Sequence, residues 1–254
     1  MNIGWTLKYT EQFAKVRENI MLDVFMLTFG EPEADDNFEI LKLKAPHAKR
    51  IDGIEGLLNA HKACAEESRT GYFYVCDADA VIQENFQFKF EPSDRREAYP
   101  GVPETECVFT YRSHNPINDL IYGYGGLKLF PKKNLLEVEE FKVDMTTSIG
   151  AKFVPKFEIS NVTAFNTDPF NTWRSAFREC TKLASNIIDH NKQVDDTYRL
   201  EVWCTRGENR RYGEYAILGA QQGKDFGEHY KNNTEALRKI NDWKWLKEKF
   251  NEVI

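Results

Sequence analysis

Long apolar runs are missing from this sequence. No stretch approaches the roughly 20 uninterrupted apolar residues of a membrane span, and the opening MNIGWTLKYTEQF lacks a basic-then-apolar signal pattern. The expectation is a soluble, unsecreted, cytoplasmic chain with no membrane partner. Cysteine pairing is missing too: the five cysteines (Cys64, Cys76, Cys107, Cys180, Cys204) are odd in number, widely spaced and free of any CxxC. That argues against a disulfide framework or a zinc site and leaves small buried hydrophobes in a reducing compartment. Positive charge is not in excess either, since 34 Lys and Arg stand against 40 Asp and Glu, a net of −6. Bulk electrostatic coating of nucleic acid is therefore disfavoured, and only local basic runs such as LKLKAPHAKR (Leu41–Arg50) and RGENRR (Arg206–Arg211) are left to line a groove or lie as solvated surface. Repeats, low-complexity tracts and linkers are absent.

What is present is an ordinary globular composition, 41% hydrophobic and 29% charged over 254 residues, enough for a single domain over 1–254. LDVFMLTF (22–29) is a short β-rich run that ends in the acidic turn GEPEADDN, and HAKRI (47–51) predicts a second strand. IEGLLNAHKACAEES carries apolar residues at helical spacing and leads into YFYVC (72–76), so the segment reads as a β–α–β crossover in an α/β fold with a partly parallel sheet. ECVFTYR (106–112) and LKLF (127–130) predict later strands, and FEISNVTAF an additional one. A helix from about Pro169 to Ile188 presents Trp173, Phe177, Cys180 and Ala184 on one face, and Leu237, Ile240, Trp243, Leu246 and Phe250 form a last apolar stripe.

The strand YFYVC ends in Asp77-Ala78-Asp79. Ligands in open α/β sheets bind beyond the carboxyl ends of strands, and two hard carboxylates there suit Mg²⁺ or Mn²⁺, which in turn binds phosphate oxygens. The bland alternative for such a tripeptide is a helix cap or a solvated loop. GYGG (123–126) permits either a close backbone approach to a ligand or a tight turn. Asp168 precedes Pro169 in an N-cap pattern, and Arg174 and Arg178 lie at i,i+4, where a guanidinium pair could hold phosphates or the backbone of an acceptor.

HAKRIDGIEGLLNAHKACAEES, YFYVCDADAVI, NPINDLIYGYGGLKLFPKK, VDMTTSIG and FNTDPFNTWRSAFREC, in this order, resemble stretches of bacteriophage-encoded glycosyltransferases of the GT-A type, over about Leu22 to Leu183. The resemblance implies a GT-A-like, mostly parallel sheet flanked by helices, with a nucleotide-sugar half over about 22–110. An acceptor half over about 111–254 would include a C-terminal helix. It implies transfer of a sugar from a nucleotide-diphosphate sugar, a UDP-sugar first among them, to an acceptor hydroxyl. That acceptor would be a hydroxymethylated pyrimidine in DNA or, alternatively, a saccharide or protein. Thr28, Phe29 and Glu31 would hold the nucleoside, Arg50 and Asp52 a base or ribose, and Asp77 and Ala78 the nucleotide-sugar. Tyr124, Gly125 and Gly126 would face the sugar. Asp77, Asp79 and a late histidine, His229 in the polar run GKDFGEHYKNN, would hold the metal, and Asp168 or, second, Glu179 would act as the acceptor-side acid. Each has a plain alternative: a strand end for Thr28, a surface charge for Arg50, a cap for Asp168 and an exposed histidine without a role for His229. A nucleotidyltransferase would show a glycine-rich basic N-terminal loop, which LTFGEPEAD does not supply. A noncatalytic binding module would show no dependence on Mn²⁺.

Overall fold

The computed structural model describes residues 21–123, 125–187 and 193–254. The chain opens with β1 (Asp23–Thr28), α1 (Ala34–Lys44), β2 (Lys49–Asp52), α2 (Leu57–Glu67) and β3 (Tyr72–Asp77). β1 pairs in parallel with both β2 and β3, which is the crossover that the sequence predicts. Strands β4 (Ala80–Ile82), β7 (Cys107–His114), β8 (Ile121–Tyr122), β9 (Leu127–Pro131) and β10 (Lys152–Thr163) complete the sheet in the order β2-β1-β3-β9-β7-β10-β4, with β8 beside β7. β7 and β10 are parallel to each other, whereas β9 is antiparallel to β3 and β7, and β4 to β10. Thus β2, β1, β3, β7 and β10 run one way, in a mixed, mostly parallel sheet. The small ribbon β5 (Glu97–Tyr99) and β6 (Val102–Pro103) stands apart.

β1 and β3 are apolar at nearly every position because both faces of the sheet are covered. Val24, Met26, Tyr74 and Cys76 point into a core shared with Leu41 of α1, Phe109 and Tyr111. Phe25, Leu27, Phe73 and Val75 point the other way, against Cys64 and Ala65 of α2 and Phe130. Short helices α3 (Lys132–Leu136) and α4 (Met145–Ser148) follow β9, and a helical layer closes the chain: α5 (Pro169–Ala184), α6 (Gln193–Thr205), α7 (Gly213–Tyr230), α8 (Thr234–Arg238) and α9 (Trp243–Asn251).

α5 lies tightly on α7. A Cβ on Gly219, Gly223 or Gly227 would come within 2.3, 2.2 and 2.5 Å of the backbone oxygens of Trp173, Phe177 and Thr181, so only glycine permits this approach. With the 173/177/181 row of α5 held against α7, the neighbouring row Arg174, Arg178 and Lys182 is turned to the cleft described below.

Three expectations need correction. The helix from Pro169 ends at Ala184, and Ile188 lies outside the described residues. The C-terminal stripe is not one helix, because Asp242 caps a new one, its side chain accepting from the Trp245 N–H at 3.0 Å. Of that stripe, Leu237, Ile240, Leu246 and Phe250 are buried, but Trp243 is 43% exposed. Among the described residues no helix is long and apolar enough to cross a membrane.

Candidate functional site

β1 lies between β2 and β3, with α1 packed on one face of the sheet and α2 on the other, so a crevice opens at the strands' carboxyl ends. Those ends are Thr28, Asp52 and Asp77. A cleft of about 910 Å³ occupies this position, lined by Thr28, Phe29, Glu31, Asp77, Ala78, Asp79 and Gly125 on the sheet side and by Asn171, Arg174, Arg178, Lys182 and Trp243 on the helical side.

The acidic loop is tied at all three of its residues, each to a different element. Asp77 makes two bonds to Gly126: its N–H donates to the Gly126 carbonyl at 2.8 Å, and its side-chain Oδ2 accepts from the Gly126 N–H at 3.2 Å. The Ala78 carbonyl accepts from the buried Asn37 Nδ2 of α1 at 2.8 Å. The Asp79 carbonyl accepts from Ala164 N–H, just past β10, at 2.7 Å. Gly126, the last residue of GYGG, belongs to this clamp. β8 and β9 both run antiparallel to β7, and the chain breaks out of that ladder between them to reach Asp77. Gly126 has φ +85°, and a Cβ there would sit 2.3 Å from Asn161 Nδ2, so the close approach demands glycine. Tyr124 lies outside the described residues.

The Asp79 carboxylate makes no hydrogen bond to any other described residue. Burial, and then the neighbouring Asp77 charge, push its carboxyl up to about 7, while Arg174 pulls the other way. This is a like-charge pair that a cation would relieve. Among the described residues no group of three or more His, Cys, Asp or Glu side chains forms a metal site, and the described donors at this loop are the Asp77 and Asp79 carboxylates. That donor set fits Mg²⁺ or Mn²⁺, which keep several waters and take further oxygens from substrate phosphates.

The remaining sequence-derived residues fall into three groups. Thr28, Phe29 and Glu31 line the cleft; Phe29 is 49% exposed there, and its N–H donates to Glu31 Oε2 at 2.6 Å. Arg50 and Asp52 do not line it, but they meet Thr28 behind it: Arg50 Nε donates to Thr28 Oγ1 at 2.8 Å, Thr28 Oγ1 donates to Asp52, and Arg50 also pairs with Asp35. The third group lies away from the cleft or is otherwise occupied. His229 is not in a polar loop; it is exposed in the last turn of α7 and does not line the cleft. Asp168 caps α5, its Oδ1 accepting from Asn171 N–H at 2.9 Å and its Oδ2 from Asn171 Nδ2 at 2.6 Å. Glu179 is buried, accepting from Tyr122 Oη at 2.8 Å and pairing with Lys182 at 3.2 Å. Neither acid lines the cleft.

Arg174 and Arg178 do line it. The Arg174 guanidinium stacks 3.8 Å over the Trp243 ring and makes no hydrogen bond or ion pair with any described residue. Burial, and then Arg178 beside it, bring it down to about 10, still cationic at neutral pH. Arg178 donates from Nη2 to Asn241 Oδ1 at 2.9 Å. Lys182, one turn further on, is instead paired with Asp144 at 3.4 Å and with Glu179.

Asn37, Asn161, Asp144, Lys182 and Trp243 escaped the sequence reading. For Asn37 a signal existed: positions 34, 37 and 41 form the buried face of α1, and a polar residue on that row needs a partner. No protein-family model matches the chain, and a search of curated proteins likewise finds no match.

Proposed function

We propose that the chain is a metal-dependent glycosyltransferase of GT-A type that moves a sugar from a nucleotide-diphosphate sugar to an acceptor hydroxyl. One observation carries the reading: an Asp77-Ala78-Asp79 loop at the end of β3, hydrogen-bonded at each residue, that brings two carboxylates to a cleft of about 910 Å³. The parallel β2-β1-β3 unit beneath supports it, since this is the switch point at which α/β sheets take nucleotides.

In this reading Asp77 and Asp79 hold Mn²⁺ or Mg²⁺, which when bound neutralises the charge developing on the diphosphate leaving group. Gly126 and Asn37 keep the two carboxylates aimed into the cleft. The half-exposed Phe29 offers a flat apolar face for the nucleobase at the β1 end, and the Thr28–Asp52–Arg50 group braces that strand end. Asp168 and Glu179 are engaged elsewhere and are not assigned as the base.

The test is a screen of nucleotide-sugars for Mn²⁺-dependent release of nucleoside diphosphate, with hydroxymethylated DNA and with saccharides as acceptors, using wild type and Asp79→Asn. Release that needs both Mn²⁺ and Asp79 supports the reading. Donor binding indifferent to Mn²⁺ and to Asp79 overturns it in favour of a noncatalytic binding module.

A further inference from the structure

Along one face of α5, three cations project into the cleft wall at successive turns: Arg174, Arg178 and Lys182. They are not equivalent. Lys182 is matched by two carboxylates, Asp144 and Glu179. Arg174 and Arg178 have no carboxylate within ion-pair distance among the described residues, and the buried Nε of each has no hydrogen-bond partner. Like charges at i,i+4 repel, and burial raises the cost of keeping them ionised. Among the described residues these two adjacent guanidinium groups have no counter-ion in contact, so a bound anion would supply one.

The surroundings prepare these groups for a polyanionic partner. The Arg174 guanidinium carbon sits 3.8 Å from the centre of the Trp243 ring, a cation–π contact that anchors the group while its nitrogens bond to no described residue. Asn241 pins one nitrogen of Arg178 at 2.9 Å. The anchors come from the turn before α9 and from the first residue of α9, where Trp243 leaves the apolar stripe that its neighbours keep. The acids nearest Arg174 in electrostatic effect, Asp79 and Glu31, act through space and not by contact.

We infer that Arg174 and Arg178, with Trp243 as a platform, form a phosphate-binding site in the cleft wall that holds a phosphate group of a substrate directly, without a metal. Two guanidinium forks match the oxygens of a phosphate dianion in a way that a single carboxylate, with one charge, would not. The phosphate belongs either to the donor's diphosphate or to a phosphate-bearing second substrate. The inference does not depend on Asp77 and Asp79 holding a metal, because the cations and their platform are complete without one.

Calorimetric titration of the full chain with inorganic pyrophosphate, in EDTA and low salt, tests it. Wild type is expected to bind saturably. Arg174→Gln and Arg178→Gln should each weaken binding at least about tenfold, and Arg174→Lys, which keeps the charge but loses the fork and guards against misfolding of the Gln variant, should weaken it as well. Asp79→Asn should bind pyrophosphate more tightly, since a facing carboxylate is removed. Repeating the titration with UDP and Mn²⁺ present identifies the source: displacement assigns the site to the donor's diphosphate, and retained binding to the second substrate. Failure of the glycosyltransferase reading would leave the metal-free isotherm intact and only abolish any effect of Mn²⁺. Absence of saturable pyrophosphate binding by wild type, or equal affinity in wild type and in all three folded arginine variants, would overturn the inference.

Discussion

The two ends of the α5 row lining the cleft handle charge in opposite ways. At the Lys182 end, Asp144 and Glu179 close an ion-paired group, backed by Tyr122 and by the Thr146 N–H that Asp144 accepts at 2.9 Å. At the Arg174 end, the guanidinium and the Asp79 carboxylate share the cleft, and neither is ion-paired to any described residue. Both ends consist of partly buried ionisable groups, so burial does not distinguish them. Satisfaction does: a charge whose partners are already in place serves the fold, whereas one held rigidly without partners leaves its interaction energy for a ligand.

Changes at the open end should abolish binding without harming the fold. Asp79→Asn is expected to reduce Mn²⁺-dependent donor affinity by more than the ~10–100-fold typical of losing a residue that only supports a metal ligand, measured by calorimetry with nucleotide-sugar. The same substitution should raise metal-free stability at alkaline pH. The folded carboxyl titrates near 7, above its unfolded value, so the folded state holds a proton that the unfolded state has released, and stability falls as pH rises from about 4 to 7. Thermal melts in EDTA should therefore separate Asp79→Asn from wild type at pH 8 and bring them together near pH 4.

At the closed end the opposite holds. Lys182→Met leaves Asp144 and Glu179 without their shared cation and should cost about 3–5 kcal/mol in denaturant unfolding at pH 7, the range for breaking a buried pair. Burial disfavours the Asp144 carboxylate, but Lys182 and the Thr146 N–H overcome it and hold its carboxyl well below the usual range. With a depressed folded pKa, that contribution is present above about pH 4 and disappears as pH falls further. The gap between wild type and Lys182→Met should thus narrow in acid. An unchanged gap at low pH would remove the ion pair as the cause.

Gly126→Ala tests the clamp on the acidic loop. The new Cβ would meet Asn161, itself held by Ser160 and Thr163, at a backbone φ of +85°, with an expected cost of about 1–3 kcal/mol and a loosened Asp77. The smallest effect belongs to Asp168→Asn. Asparagine caps as well as aspartate does, so stability should stay within about 0.5 kcal/mol and turnover near wild type. A large loss of turnover with donor affinity intact would return Asp168 to the acceptor-side role that its sequence context suggests.

Much of the architecture was legible from pattern alone. The unbroken apolar runs of β1 and β3, the helical spacing of α2 and the acids at the end of β3 predict a parallel crossover with a ligand site at its carboxyl edge, because burial on both faces and the ends of strands leave local marks in sequence. Asp168 as a cap was equally readable, since capping is a contact over three residues. The rest depended on distance along the chain. That Gly126 grips Asp77, that Asn37 holds Ala78, that Glu179 faces Tyr122 and not the cleft, and that Trp243 leaves its stripe to lie under Arg174 are contacts over 41 to 69 residues, set by how α5 sits on α7 and how β9 enters between β3 and β7. Periodicity assigns a residue to a face of its own element. Only the packing of elements decides what that face meets, and so which charges close on each other and which stay open.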